Sequence, residues 1–166
     1  GPAPVTGIDL SSLNLRPITP DDTELNYRIY HSTREEELGK SGWSEEEKES
    51  FVRMQFNLQQ KQYMACYTGA AFNFILVGGV PAGRLFLHET AHEIRIMDIA
   101  ILPEYRNRGI GTAILTDIVS SAKKIGRRAS IQVEVYNPAR KLYERLGFTI
   151  SELRGMYYFM EYIPSA

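Results

Sequence analysis

The chain has 166 residues, with 19 lysines and arginines against 20 aspartates and glutamates. That length suits one domain over residues 1–166, able to bury about two-thirds of its unfolded surface, and the balanced charge excludes binding to nucleic acid or a membrane through net charge alone. One cysteine, Cys66, excludes a disulfide framework and a multi-cysteine zinc site; with no apolar run of ~18 residues and no leader segment, a cytoplasmic setting is expected.

The opening Gly-Pro-Ala-Pro is irregular and reads as a remnant of expression, and residues 1–10 are expected to be irregular or of that origin. LNLRPIT, from Leu13, alternates as a short strand does. Thr19-Pro20-Asp21-Asp22 reads as a helix start, with proline in the first turn and acids near the positive end of the dipole. The helix is expected to run to Leu38 and stop at Gly39.

Ser44-Glu45-Glu46-Glu47 is a capping box, and Phe51, Met54, Gln55, Leu58 and Gln62 recur at helical spacing, giving a second helix to about Ala65. AAFNFILVGG and PAGRLFLHE are β-rich runs around a Gly-Gly-Val-Pro turn, and EIRIMDIAIL is a third, so an antiparallel meander is expected. Ile110, Ile114, Leu115, Ile118, Val119 and Ala122 then mark one face of a helix ending at Gly126.

A strand from Ser130 to Tyr136 follows, then a short helix from Pro138 through Leu146, closed by Gly147. FTISELRGMYYFMEYI reads as two strands around Arg154-Gly155. The class is mixed α/β.

Between the third strand of the meander and the next helix lies LPEYRNRGIGTAIL. A glycine-rich turn feeding a helix leaves backbone N–H groups pointing at one place, where the dipole also favours an anion. Arg106 and Arg108 add charge-assisted hydrogen bonds that suit a diphosphate. The same pattern is also explained by a plain strand-to-helix turn with solvated arginines.

The nucleotide signature G-x-x-x-x-G-K-[ST] is absent. A dinucleotide turn is the closer competitor, with Glu134 as the ribose acid, but its third glycine position is Ile114 and a seven-residue loop separates strand from glycine.

Arg106-Asn107-Arg108-Gly109-Ile110-Gly111 resembles the [RQ]-x-x-G-x-[GA] signature of the GCN5-related N-acetyltransferase (GNAT) family. EIRIMDIAILPEYR looks like that family's fourth strand, and VEVYNPARKLYERLGF like its fifth strand and following helix. The resemblance implies a mostly antiparallel sheet flanked by helices, with strands four and five splayed apart. It also implies acetyl-CoA as acyl donor and direct attack by a primary amine of a small molecule or peptide in a ternary complex.

On that resemblance the donor is held by Ile99, Ala100 and Ile101 of the fourth strand, by Arg106, Asn107, Arg108, Gly109, Ile110, Gly111 and Thr112 at the turn, and by Asn137, Ala139 and Tyr143 beyond the fifth strand. Asp98 interrupts an apolar strand, where a carboxylate is costly unless it has a task or a partner. It is the first candidate for base, its structural explanation being a pair with Arg95 or Arg84. Glu93 is the second candidate and Glu134 the third.

Tyr143 stands where family members place a proton donor for the thiolate; packing beside Leu142 and Leu146 also explains it, and capping before proline also explains Asn137. Tyr27, Tyr30, Trp43 and Gln55 are candidates for the acceptor wall, with Phe51, Met54 and Tyr67 beside them, the Phe and Met being expected in the core. The glutamates at 35–37 and 45–47 suit a cationic acceptor, though such runs also serve as solvated faces and caps. His31, His88 and His92 do not make a metal site by spacing.

No nucleic-acid or membrane partner is expected, and a homodimer is compatible with this reading. A coenzyme-binding regulatory module that has lost the chemistry is the alternative, with a dinucleotide-binding protein behind it.

Overall fold

The computed structural model describes residues 8–165, so the Gly-Pro-Ala-Pro opening lies outside the described residues. In chain order the elements are β1 (Leu13–Pro17), α1 (Thr23–Ser32), α2 (Glu35–Gly39), α3 (Glu45–Cys66), β2 (Ala71–Val77), β3 (Val80–Glu89) and β4 (Glu93–Ile101), followed by α4 (Ile110–Ile125), β5 (Arg128–Glu134), α5 (Ala139–Arg145), β6 (Thr149–Arg154) and β7 (Tyr157–Tyr162). One seven-stranded sheet runs in the order β1-β2-β3-β4-β5-β7-β6. Its one parallel neighbour pair is β4 with β5, joined by the crossover through α4.

The expected single helix to Leu38 is two. Thr33 and Arg34 send their N–H groups back to Tyr30 and His31, an i to i−3 pattern that tightens the last turn of α1, and the Thr33 hydroxyl donates to Tyr30 O at 2.6 Å. At α3 the capping box is in place, with Glu47 N donating to Ser44 Oγ and Ser44 N to Glu47 Oε1. The buried face of α3 is not the expected one, however. Val52 and Phe56 are buried, whereas Met54 is 50% and Leu58 58% exposed. The strand expected from Ser130 to Tyr136 is shifted back by two residues, to Arg128–Glu134.

Two apolar layers cover the sheet. On one face Ile75, Leu85, Ile94, Ile96, Ile131 and Val133 pack with α4 and with Tyr143 and Phe148. On the other, Phe74, Leu76, Ala100 and Leu102 meet Ile29 of α1, while Tyr27, Tyr30, Val52 and Phe56 pack α1 against α3.

β4 serves both layers because it changes phase. Phe86 pairs with Asp98 but Leu87 with Ile96, so Met97 is an extra residue, a bulge. Ile94 and Ile96 before it, and Ile99 and Ile101 after it, face α4, although one parity has replaced the other. The bulge thereby turns Asp98 and Ala100 toward α1 and α3.

The packing of β3 on β4 is tight at Gly83, opposite Ile101, where a Cβ would collide with the carbonyl oxygen of Ala100. Gly83→Ala should therefore destabilise the fold by about 1–3 kcal/mol through overpacking. A urea midpoint that falls with an unchanged m-value is the expected result.

Candidate active site

The loop after β4 is built to end in a helix mouth. A 3₁₀ turn at Pro103–Tyr105 leads to Asn107 at φ 59° and Gly109 at φ 83°, both left-handed, and α4 begins at the next residue. Its first helical bond is Ala113 N to Gly109 O at 3.0 Å. The N–H groups of Ile110, Gly111 and Thr112 precede that bond and have no partner within the helix. Ile110 anchors the turn from below, buried in the α4 layer. A Cβ built on Gly111 meets no atom within 4 Å, and its φ is not in the left-handed region. Nothing in the fold therefore requires glycine there; its smallness keeps the backbone approachable from outside.

The two arginines do different things. Arg106 is taken up by the scaffold: Nε donates to Ile101 O at 2.9 Å and Nη2 to Ser32 O at 3.3 Å. It ties the turn to the C-terminal end of α1, where a cation suits the dipole. Arg108 is half-buried and donates to Asn107 O at 3.4 Å.

Ile99, Ala100 and Ile101 pair on one side with Leu85, Arg84 and Gly83 of β3. The ladder between β4 and β5 joins Glu93–Ile96 to Arg128–Ile131, although β4 runs on to Ile101 and β5 to Glu134.

Asp98 is one of three side chains hydrogen-bonded to a buried cation. Its Oδ2 accepts from Arg84 Nε at 2.7 Å and lies 2.6 Å from Arg84 Nη2. Arg84 also donates Nη1 to Asn26 Oδ1 of α1 and Nη2 to Gln59 Oε1 of α3, both at 2.8 Å. Its guanidinium lies 4.5 Å from the Phe86 ring centre and 5.3 Å from that of Tyr30. The Arg84 side chain is 1% exposed, that of Asp98 25%. Tyr63 of α3 closes the cluster by donating to Met97 O at 3.4 Å.

Tyr143 is buried on α5, in the opposite layer from Asp98. Burial pushes its phenol up to about 12, and the negative charges of Asp98 and then Glu134 add to the shift. The phenol is neutral at any ordinary pH and so can donate a hydrogen bond. Glu134, at the end of β5, accepts from Asn137 Nδ2 at 3.3 Å, while Asn137 Oδ1 accepts from Ala139 N at 2.9 Å and caps α5. Ala139 is half-buried against the α4 layer.

Glu93 does not join this group. It sits at the other end of β4, where it accepts from Ser130 Oγ at 3.0 Å and from Arg95 Nη2 at 3.5 Å. Eight residues of strand, about 26 Å, separate it from Ile101. Of the expected acceptor-wall residues, Tyr30 joins the Asp98 cluster through Arg84, whose guanidinium lies over its ring. Tyr27 is buried with the Arg53 guanidinium 3.5 Å from its ring centre, Trp43 is 40% exposed against Phe51, and Gln55 is half-buried on α3.

Sequence reasoning missed Asn26, Gln59 and Arg34. Arg34 donates to the Tyr30 hydroxyl and pairs with Glu37 at 3.7 Å, and Glu37 accepts from the Tyr136 hydroxyl at 3.2 Å, so α2 is tied to the end of β5. Polar residues on a helix carry no signal of such long-range partners.

This arrangement, an open glycine at a helix mouth beside a bulged strand whose ladder to its parallel neighbour is short, coincides with a match to the family model described as Acetyltransferase (GNAT) family, over residues 26–148. The chain belongs to the GNAT family. Membership sets the dinucleotide reading aside.

Among its relatives is a Drosophila melanogaster protein named as a probable N-acetyltransferase, san, 35% identical over 92 residues, covering 54% of this chain and 50% of that protein. The [ribosomal protein bS18]-alanine N-acetyltransferase of Haemophilus influenzae is 36% identical over 67 residues, covering 40% of this chain and 46% of that one. The chain thus spans about half the length of these curated relatives. The PaiA N-acetyltransferase of Thermoplasma acidophilum, solved with coenzyme A, shares the fold with a TM-score of 0.68 at 21% identity, over 92% of this chain and 99% of that one.

Because the Tyr143 phenol is shifted above its unfolded value near 10, the stability its neutral form contributes is complete below pH 10 and is lost as pH rises through about 12. Tyr143→Phe should reduce the fall in unfolding free energy across that window, measured by urea unfolding at stepped pH. Part of the fall should remain, since burial also holds Tyr27 up at about 12.

Proposed function

We propose that this GNAT chain is an acetyl-CoA-dependent N-acetyltransferase that acts within a single domain on a primary amine, by direct attack in a ternary complex. The observation that carries the reading is the mouth of α4, where the N–H groups of Ile110, Gly111 and Thr112 have no partner within the helix and, among the described residues, Gly111 has open space beside it. That site suits an anion reaching the backbone itself, and two structural neighbours were solved with coenzyme A or acetyl-CoA bound.

In this proposal the N–H groups of Arg108 to Thr112, with the Arg108 side chain and the Asn107 turn, hold the pyrophosphate. Arg106 contributes by bracing the turn, since its Nε and Nη2 are bonded to backbone carbonyls. The short ladder between β4 and β5 supports a splay in which Ile99, Ala100 and Ile101 receive the pantetheine arm, with Asn137 and Ala139 on the far side.

Acetyl-CoA supplies the acyl group as a thioester. Asp98 Oδ1 takes the proton of the acceptor nitrogen as the N–C bond forms and the C–S bond breaks, and the Tyr143 hydroxyl donates a hydrogen bond to the departing sulfur. Glu134, within electrostatic reach of Tyr143, relays protons through water, and Glu93, held by Ser130 and Arg95 at the start of β4, is given no role in this proposal. Tyr30 lines the acceptor side, with Gln55 and Trp43 farther out along the same wall, and Tyr27 supports them from the core.

The acceptor is a primary amine of a peptide or small molecule. A peptide α-amine is supported by the relatives named for alanine or N-alpha acetylation, and a cationic acceptor by the carboxylates of Glu37 and Glu134 near the end of β5. One observation favours the regulatory-module reading, that Asp98 Oδ2 is already occupied by Arg84.

Gly111→Val tests the turn. The open space at Gly111 and the similar helix propensities of the two residues predict a change in stability of only about 0.5 kcal/mol. Binding of acetyl-CoA, measured by calorimetry, should weaken about 10-fold or more, a loss of ~1.4 kcal/mol. Equal affinity in the two proteins would place the anion elsewhere. Wild-type binding without thiol release across a panel of peptide and polyamine acceptors would leave the regulatory module.

A further inference from the structure

We propose that Arg84 is a positioning residue for acyl transfer: from inside the core it clamps Oδ2 of Asp98, so that Oδ1 is presented to the acceptor nitrogen at a fixed place between β4, α1 and α3. The inference rests on the reading of Asp98 as the group that meets the acceptor amine.

Both contacts from Arg84 fall on Oδ2, and among the described residues no hydrogen bond is made to Oδ1. Asp98 keeps a quarter of its side-chain surface open while Arg84 is sealed, so the carboxylate joins the buried cation to the solvent-accessible surface. The bulge at Met97 makes the meeting possible, because without the extra residue Asp98 would face α4.

Stability alone is a poor reason for this arrangement. A buried ion pair is often matched or exceeded in stability by apolar residues of similar volume. The other two partners, Asn26 and Gln59, are neutral amides, so Asp98 is the one carboxylate bonded to the cation. A planar guanidinium reaches three acceptors on three elements at set angles, which an ammonium on a flexible stem does not. The geometry thus refers the position of Oδ1 to both helices of the acceptor side at once.

A double-mutant cycle tests this. Asp98→Asn should lower kcat by about 10²- to 10⁴-fold, the range for a lost proton acceptor. Arg84→Lys, which keeps the charge and loses the fork, should lower kcat about 10-fold or more in the wild-type background and less than about 3-fold in the Asp98→Asn background. The affinity for acetyl-CoA by calorimetry should stay within about 2-fold of wild type in both.

Equal losses from Arg84→Lys in the two backgrounds would overturn the proposal and leave Arg84 a structural residue. An Asp98→Asn enzyme with wild-type kcat would instead remove the role of Asp98 itself. Should Arg84→Lys fail to fold, Gln59→Met loosens the fork with both charges kept. A drop in kcat that disappears in the Asp98→Asn background supports the clamp, and an equal drop or none in either background overturns it.

Discussion

A cation sealed inside the protein is the constraint from which the rest of the site follows. Arg84 has almost no contact with water, and a guanidinium in that position must be paired and hydrogen-bonded throughout. Its partners come from α1, α3 and β4, so both helices and the bulged strand are held to one planar group. The Phe86 and Tyr30 rings beside it shield that group from the apolar layer. Movement of either helix would leave a charge or an amide without its partner.

The second organising feature is the end of β4. The bulge at Met97 lets one strand feed both layers, and the strand then passes directly into the turn whose N–H groups open α4. Arg106 joins that turn to the carbonyl of Ser32, the last residue of α1. Of the two arginines, Arg106 is bonded to the carbonyls of Ile101 and Ser32, while Arg108 is half-buried and donates to Asn107 O. The turn and α1 are thus connected through backbone carbonyls.

Much of this was legible in the sequence. The Gly-Gly turn between β2 and β3, the capping box at Ser44, the glycine after α4 and the Gly109 turn are local signals, and each lies where local chemistry dictates. The phase of α3 was not legible. Met54 and Leu58 suggested an apolar face, but the inward positions are Val52, Phe56, Gln59 and Tyr63, because Arg84 and the carbonyl of Met97 require polar partners there. The break between α1 and α2 was missed because Thr33 and Arg34 carry no glycine or proline to announce it. Asp98 stood out as a carboxylate in an apolar strand, yet the choice between Arg84 and Arg95 depended on the bulge, and Arg95 turned out to bond Ser130 and Glu93.

In the proposed binding mode acetyl-CoA lies along the end of β4 and across the mouth of α4. Backbone amide shifts followed by NMR during titration with acetyl-CoA test this most directly. The account predicts that the largest shifts fall on Ile99 to Ile101 and on Arg108 to Thr112, with smaller ones at Asn137 to Tyr143. Shifts concentrated around Glu93 or on the outer face of α3, with Gly109 to Thr112 unmoved, would contradict it.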